Sequence, residues 1–327
     1  MSKKNKPIRV KLIANPGAGK VSDSANNLKL VAGYLKKNGL KVDVAFARPK
    51  EEAIPIARRA IKDGYKIVIA MGGDGTIEAV MRGLVGSKVR LGIVPVGTEN
   101  NIAKSLGISG DLKEACALIA SDNTLKLDVG QVTTSKGKKF VFFEMATVGL
   151  SAAIYPDAVK VVGGKLSRIK DAALTLIHQE TNPSVFLTIN DESKIEVETM
   201  LVTIANTPIS GAKNMVAPEA SMEDGLLDIA VYPGFSKAEL MNYFFKSSDE
   251  GVIPDGRIQR YRANKIKVKT SPKMDIAAEG IIIGKGSAWI KVIPAGLRVI
   301  APKIGKGAEK TPKQTTKKLP SPVSPVS

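Results

Sequence analysis

The sequence predicts an α/β protein, with an N-terminal Rossmann-like parallel sheet followed by an antiparallel β-sandwich. Three observations carry that expectation. From Ile8 to Ile108 short β-branched runs alternate with helix-like stretches, the pattern of βαβ units. Beyond about Asp128 the chain turns to many short strand-like runs separated by turn residues, the pattern of a sandwich. A length of 327 residues suffices for two domains, each with its own core.

Taken in order, the first strand is expected over Ile8 to Ala14 and runs into "NPGAGK". Leu28, Val31 and Leu35 then recur at helical spacing until Gly39 stops the helix. A second strand covers Leu40 to Phe46, and another helical stretch ends near Gly64. The run from Lys66 to Met71 reads as a buried strand feeding "GGDGT" and a helix over Ile77 to Leu84. Arg90 to Val94 is a fourth strand entering "PVGTENN", and Ile102 to Leu106 begins another helix. In the second half, strands are expected at Phe140 to Phe143, Ser184 to Ile189, Thr199 to Ala205 and Leu227 to Val231. Three more follow at Lys265 to Lys269, Ile281 to Ile283 and Trp289 to Ile293. A helix around Leu166 to Ile177 interrupts them. The expected units are residues 7–129, 130–303 and a basic tail, 304–327, too polar to bury a core.

Composition narrows the chemistry. Hydrophobic residues at 43% and charged residues at 24% are those of a folded body rather than a disordered or fibrous one. One cysteine, Cys116, rules out an intrachain disulfide, and one histidine, His178, rules out the usual zinc constellations. A metal would have to be held by oxygen. The basic N-terminus lacks a secretory apolar segment and no run is long enough to span a bilayer, so a cytoplasmic protein is expected. A net charge of +18 attracts nucleic acid, anionic lipid headgroups and acidic small molecules alike. Aromatic content is 5%, and aromatic and basic residues do not interleave along the chain, which ranks nucleic acid below membrane and nucleotide.

"GGDGT", Gly72 to Thr76, sits between an apolar strand and a helix. Its glycines let the backbone approach an anion, and the helix offers unpaired N–H groups and a positive dipole end. Asp74 would repel phosphate unless a cation lay between them, which suits a nucleoside triphosphate with magnesium. An ordinary glycine-rich turn is the plain alternative. "NPGAGK" and "PVGTENN" end two other strands, and ligands of open parallel sheets bind outside the carboxyl ends of strands. Asn15, Gly19 and Lys20 are therefore candidates to meet phosphate or ribose, and Gly97, Thr98 and Asn100 to meet the nucleotide. Against this stand a plain turn at Asn15-Pro16-Gly17 and a helix cap at Thr98.

Strand, "NPxxGK", strand, "GGDGT", strand, "PxGTxN" resembles the start of the catalytic domain of diacylglycerol kinase-like lipid kinases, the group that also includes the sphingosine kinases. "LDVGQV" at Leu127 to Val132, "FFEMATVGLSA" at Phe142 to Ala152 and "IANTPISGAKNMVAPEASMEDGLLDIAVY" from Ile204 to Tyr232 extend the likeness to about Pro302. The resemblance implies a nucleotide-binding first domain, a sandwich second domain, and ATP meeting a lipid hydroxyl in the cleft between them. It implies that Gly72, Gly73, Asp74, Gly75 and Thr76 bind the triphosphate. Asp74 and Asp224 would organise Mg²⁺ directly or through water, with Asp228 closing the same motif. Asp128 matches an acidic position near the family's catalytic centre. Read without the family, Asp128 is a strand-end residue satisfied by backbone N–H groups, and Asp224-Gly225 is a β-turn.

Two positions depart from the family pattern. Asn101 stands where an Asp usually follows "GTxN", and the family's "DGE", whose Glu is thought to take the proton from the lipid hydroxyl, aligns with Glu279-Gly280-Ile281. Glu279 is then the substitute base, with Asp128 the other candidate, unless the enzyme is slow or inactive. The expected function is an ATP-dependent lipid kinase, peripheral to the inner face of the membrane. Its partners would be a lipid substrate and anionic headgroups, with no nucleic acid and homodimerisation left open. The rivals are an NAD kinase and a catalytically impaired nucleotide- or lipid-binding homologue. The tail, with five lysines and Glu309 as its acidic residue, is expected either to recruit the chain to anionic lipid or merely to solubilise it. His178 reads as structural, Cys116 as core, and Trp289 as packed in the sandwich, with contact to the membrane interface as the second reading.

Overall fold

Successive residues of a strand point to opposite sides of its sheet, and over Ile67–Gly72 and residues 91–95 both sets are apolar and buried, so both faces must be covered there. A computed structural model describes residues 7–17, 21–121, 123–150, 183–210, 214–250 and 253–302. It contains β1 (Ile8–Ala14), α1 (Val21–Lys37), β2 (Leu40–Phe46), α2 (Ala53–Lys62), β3 (Ile67–Gly72), α3 (Asp74–Leu84) and β4 (Arg90–Pro95). The strands lie parallel in the order β4-β3-β1-β2. α4 (Asn101–Ser105) and α5 (Leu112–Ala120) follow. Leu12, Ile67, Ile69 and Met71 face Val31 and Leu35 of α1 and Cys116 and Ile119 of α5. Ile13, Val68, Ala70 and Ile93 face the opposite way, onto Ala57 and Ala60 of α2 and Ile77 and Val80 of α3. Cys116 is core as expected, and burial pushes its thiol up to about 12.

The second half begins with β5 (Thr124–Thr134), β6 (Lys139–Phe142) and β7 (Met145–Gly149). After it come β8 (Ser184–Ile189), β9 (Ser193–Ala205), β10 (Ile209–Ser210), β11 (Asn214–Met215), β12 (Leu227–Pro233) and α6 (Lys237–Glu250). β13 (Gln259–Ala263), β14 (Lys265–Ser271), β15 (Asp275–Ala278), β16 (Ile281–Lys285) and β17 (Ser287–Ile300) complete the described chain. Two antiparallel layers result. One runs β16-β15-β7-β9 with β12 and β13 beyond, the other β9-β8-β14-β17-β5-β6. β9 belongs to both: Ser193–Glu198 pairs with β8, and Leu201–Ala205 with β7. Such a shared strand turns the corner of a sandwich. Val148, Val202, Ile229 and Ile276 from one layer meet Val132, Leu187, Val268 and Ile290 from the other.

β17 joins this sandwich to the α/β layer. Near its end, Arg298 and Val299 pair in parallel with β4, and Leu297, Val299 and, just past the strand, Ala301 enter the core beneath α2 and α3. The expected boundary at 129/130 lies inside β5, one continuous strand. β5 was not expected as a strand because Asp128, Gly130 and Gln131 interrupt its apolar alternation; pairing with β17 and β6 holds it extended. β7, β13, β15, α5 and α6 were likewise not read as separate elements. Trp289 departs from the packed position expected of it. Its neighbours Ala288 and Ile290 point into the sandwich, and the indole is 43% exposed on the outer face. Gly19, Lys20, the helix expected over Leu166 to Ile177, His178 and the tail lie outside the described residues. Among the described residues, no helix is long and apolar enough to cross a membrane.

Candidate active site

Three loops at the carboxyl ends of β1, β3 and β4 come together. Asn15, just past β1, donates from Nδ2 to Thr76 Oγ1 at 3.2 Å, while its Oδ1 accepts the Gly17 amide at 2.9 Å. Gly73 caps α3, and Gly97 lies so close above it that a Cβ on Gly97 would stand 2.4 Å from the Gly73 Cα. Both positions therefore require glycine for close approach. Asp74, the first residue of α3, accepts the amides of Asn101 at 3.0 Å and Ile102 at 2.9 Å, binding the start of α4 to the start of α3. Asn100 turns in the left-handed region, φ 56°, and its side-chain amide closes onto the N–H and C=O of Gly97. Asn100 thus shapes its own loop. Thr98 is exposed on that loop, and Gly72 and Gly75 flank the α3 N-terminus. The Thr76 amide already donates to the Gly73 carbonyl at 2.9 Å, and the amides of Asp74 and Gly75 before it have no intrahelical acceptor, so this end of the 11-residue helix is suited to phosphate.

Glu279 stands across from this helix. It forms with Gly280 the two-residue turn between β15 and β16, where Ala278 pairs with Ile281. Both turn residues have positive φ, 50° and 73°, the geometry of a type I′ hairpin. Its Oε1 accepts the Phe143 amide at 2.5 Å and the Glu144 amide at 3.0 Å. Burial, reinforced by the nearby charges of Glu144 and Glu78, pushes its carboxyl up to about 8 against the two amides that favour the anion. Glu78 lies one turn into α3, which puts Glu279 within electrostatic reach of the helix that begins at Asp74. Arg82 binds Glu78 at 2.6 Å, donates to the Val141 carbonyl at 2.7 Å and lies 5.7 Å from the Phe143 ring centre. Neither Glu78 nor Arg82 was expected at the site; their i,i+4 spacing in "EAVMR" was the available signal.

Asp128 and Asp224, expected near the chemistry, each make contacts within the protein. Asp128 is buried, and its two carboxylate oxygens accept the amides of Gly225 at 2.6 Å and Ala295 at 2.8 Å. It anchors two loops to β5, the backbone-satisfied arrangement read without the family. Asp224 caps its own turn through the Leu226 amide at 3.0 Å and pairs with Arg262, which also approaches Asp228 at 3.4 Å. Burial raises the Asp228 carboxyl, with Arg262 opposing. No three Asp, Glu, His or Cys side chains gather as a ligand set among the described residues. Magnesium is commonly bound through one or two carboxylates plus phosphate oxygens and water. Asp74 fits that description, since each of its oxygens accepts a single amide and keeps a lone pair. Asp224 does not fit while Arg262 holds it. Asn206, also not expected, is buried and donates to the carbonyls of Asp128 at 3.0 Å and Phe143 at 2.9 Å, tying the two segments together.

The diacylglycerol kinase catalytic domain model matches residues 9–132, and the YegS C-terminal NAD kinase beta sandwich-like domain model matches 157–301. "Probable lipid kinase YegS-like" of Klebsiella pneumoniae (strain 342) is 30% identical over 210 residues, 63% of this chain and 69% of that protein. The chain belongs to the diacylglycerol kinase family of lipid kinases. The diacylglycerol kinase of Bacillus subtilis (strain 168) is 29% identical over 284 residues, 83% of this chain and 89% of that protein. Among solved structures, a diacylglycerol kinase from Bacillus anthracis str. Sterne superposes with a TM-score of 0.67 at 21% identity, covering 90% of this chain and 97% of that one. An NAD kinase from Archaeoglobus fulgidus, in complex with ATP, superposes with a TM-score of 0.51 at 12% identity, covering 90% and 94%. Both likenesses concern the fold. The parallel layer and the antiparallel sandwich expected from the sequence are those of the family.

Proposed function

We propose that the chain transfers the γ-phosphoryl group of ATP to a hydroxyl of diacylglycerol or a related lipid, at the inner face of a membrane. The observation that carries this reading is Glu279. Its Oε1 is pinned by two amides, its Oε2 has no partner among the described residues, and its carboxyl is raised to about 8. A general base works best with a pKa near the operating pH, and a pinned carboxylate with one free oxygen is oriented for proton transfer. Glu279 lies two residues before Ile281, where the family keeps its own glutamate. In the reaction the lipid oxygen bonds to the γ-phosphorus, the bond from that phosphorus to the ADP oxygen breaks, and the hydroxyl proton passes to Glu279 Oε2.

The rest of the site positions the nucleotide. The glycines at 72, 73 and 97 let the loops pack against Thr76 and against each other, the α3 N-terminus offers amides to the triphosphate, and Asn15 and Thr76 form a polar edge. Asp74 would hold magnesium, which when bound neutralises charge on the phosphates. Incubation of purified protein with labelled ATP, magnesium and a lipid extract tests the reading. Label in the organic phase is the expected result. Formation of NADP from added NAD would instead support an NAD kinase, and no transfer at all an inactive homologue.

A further inference from the structure

The outer face of the layer containing β8, β14, β17 and β5 carries a feature that phosphoryl transfer does not use. Directly paired residues of an antiparallel ladder share a face. One row across this face runs Lys194, Thr188, Lys267, Trp289, Thr133, Lys139. The adjoining rows bring Phe186 opposite Lys269 on one side, and Lys265 opposite Lys291 on the other. Aromatic and basic side chains that are scattered along the sequence therefore interleave in space. Trp289 is 43% and Phe186 37% exposed, and the Lys267 ammonium lies 5.8 Å from the centre of the Trp289 ring. Phe186, Thr188, Lys267 and Lys269 line a depression of about 250 Å³. Lys265 is paired with Asp191, whereas Lys267, Lys269 and Lys291 have no ion pair among the described residues. Glu196, opposite Phe186, is the one carboxylate in these rows.

An indole and a phenyl ring held out from the face of a sheet among unpaired lysines match the interface of an anionic bilayer. The ring bodies enter the headgroup region, while ammonium groups on apolar stems reach the phosphates. The face is also continuous with the candidate active site. Its central row ends at Lys139, and four residues further along the chain, just past β6 and roughly 13 Å of extended backbone away, lies Phe143, whose amide binds Glu279. We propose that this face, centred on Trp289 and Lys267, is the surface by which the protein rests on an anionic phospholipid bilayer. The proposal rests on the lipid-kinase reading above and adds to it the side of the molecule that meets the substrate.

Trp289 is the only tryptophan of the chain, so the emission of the unmodified full-length protein reports on this face directly. With vesicles of phosphatidylcholine and phosphatidylglycerol at low salt, emission should shift to the blue and be quenched by lipids brominated near the headgroup. Vesicles of phosphatidylcholine alone should leave it unchanged. The double variant Lys267→Gln, Lys269→Gln should bind anionic vesicles about 30-fold more weakly, about fivefold for each lysine removed, with the difference lost at high salt. Its activity on a short-chain substrate dispersed in detergent should equal that of the unmodified protein. Co-sedimentation with anionic vesicles while Trp289 emission stays unshifted would overturn the proposal and assign the contact elsewhere, residues 304–327 included. Quenching by a single-stranded oligonucleotide without any response to vesicles would overturn it in favour of nucleic acid. Failure to phosphorylate the dispersed substrate, with the vesicle-induced shift intact, would remove the kinase reading and leave the docking face standing.

Discussion

Glu279 and Phe143, 136 residues apart in sequence, are joined by a hydrogen bond from the Phe143 amide to Glu279 Oε1. That bond, with its neighbour from Glu144, favours the carboxylate anion; burial and the Glu144 charge favour the acid and outweigh it. The result is a carboxyl group that changes charge near neutral pH at the junction of the two layers.

Replacing Glu279 by Gln keeps the shape and one acceptor but removes the base. Turnover should fall by about 10²-fold or more with little change in KM for ATP. In the unmodified enzyme kcat should rise with pH toward a plateau above about 8, and this limb should be absent from the variant. Turnover within a few-fold of the unmodified enzyme across that range would remove Glu279 from proton transfer.

The same group links stability to pH. Its carboxyl is raised from 4.5 to about 8 in the folded state, so between those values the folded chain binds more protons than the unfolded one. Stability from this source is fully present below about 4.5 and is lost as pH rises to about 8. Glu279→Gln, which has no such proton, should therefore gain on the unmodified protein as pH rises. A Tm difference growing by a few degrees, on the order expected for ~1 kcal/mol or more, is the measurement. A difference independent of pH between 4.5 and 8 would mean that the side chain titrates normally.

Asp128→Asn separates an anchor from a catalytic base. Each carboxylate oxygen of Asp128 accepts a backbone amide, and an amide side chain can answer only one of those donors. The variant should lose about 1.5–3 kcal/mol in urea unfolding, the range for a hydrogen bond to a charged group. Activity per folded molecule at low temperature should be nearly retained. A large loss of kcat without loss of stability would return Asp128 to the chemistry.

Gly97→Ala tests the contact between the nucleotide loops. The added methyl would meet the Gly73 backbone at 2.4 Å, where no flexible side chain can give way, so the two loops must separate. A displacement of this kind at a positioning loop costs on the order of 10²-fold in kcat/KM, and the loss should be seen mainly as weaker ATP saturation. Asp74→Asn, which retains one of two acceptors for the α4 amides, should keep Tm within a few degrees yet reduce kcat by at least 10²-fold. Normal turnover at saturating magnesium would exclude Asp74 from metal binding.

The sequence by itself determined the parallel layer, because strands buried on both faces read as continuous apolar runs and helices beside them carry their own 3.6-residue period. It also determined that Asn15, Gly72 to Thr76 and Gly97 to Asn100 meet, since each motif ends a strand of one sheet. Only the tertiary structure decided which carboxylates are free. Asp128 is taken by amides 97 and 167 residues away, Asp224 by Arg262, 38 residues on, and Glu279 is oriented by an amide 136 residues before it. Bonds at such separations leave no local pattern. The direction of Trp289 was hidden for a related reason: alternation in β17 shows that its neighbours share a face, but which face meets the core depends on the strands that pair with it.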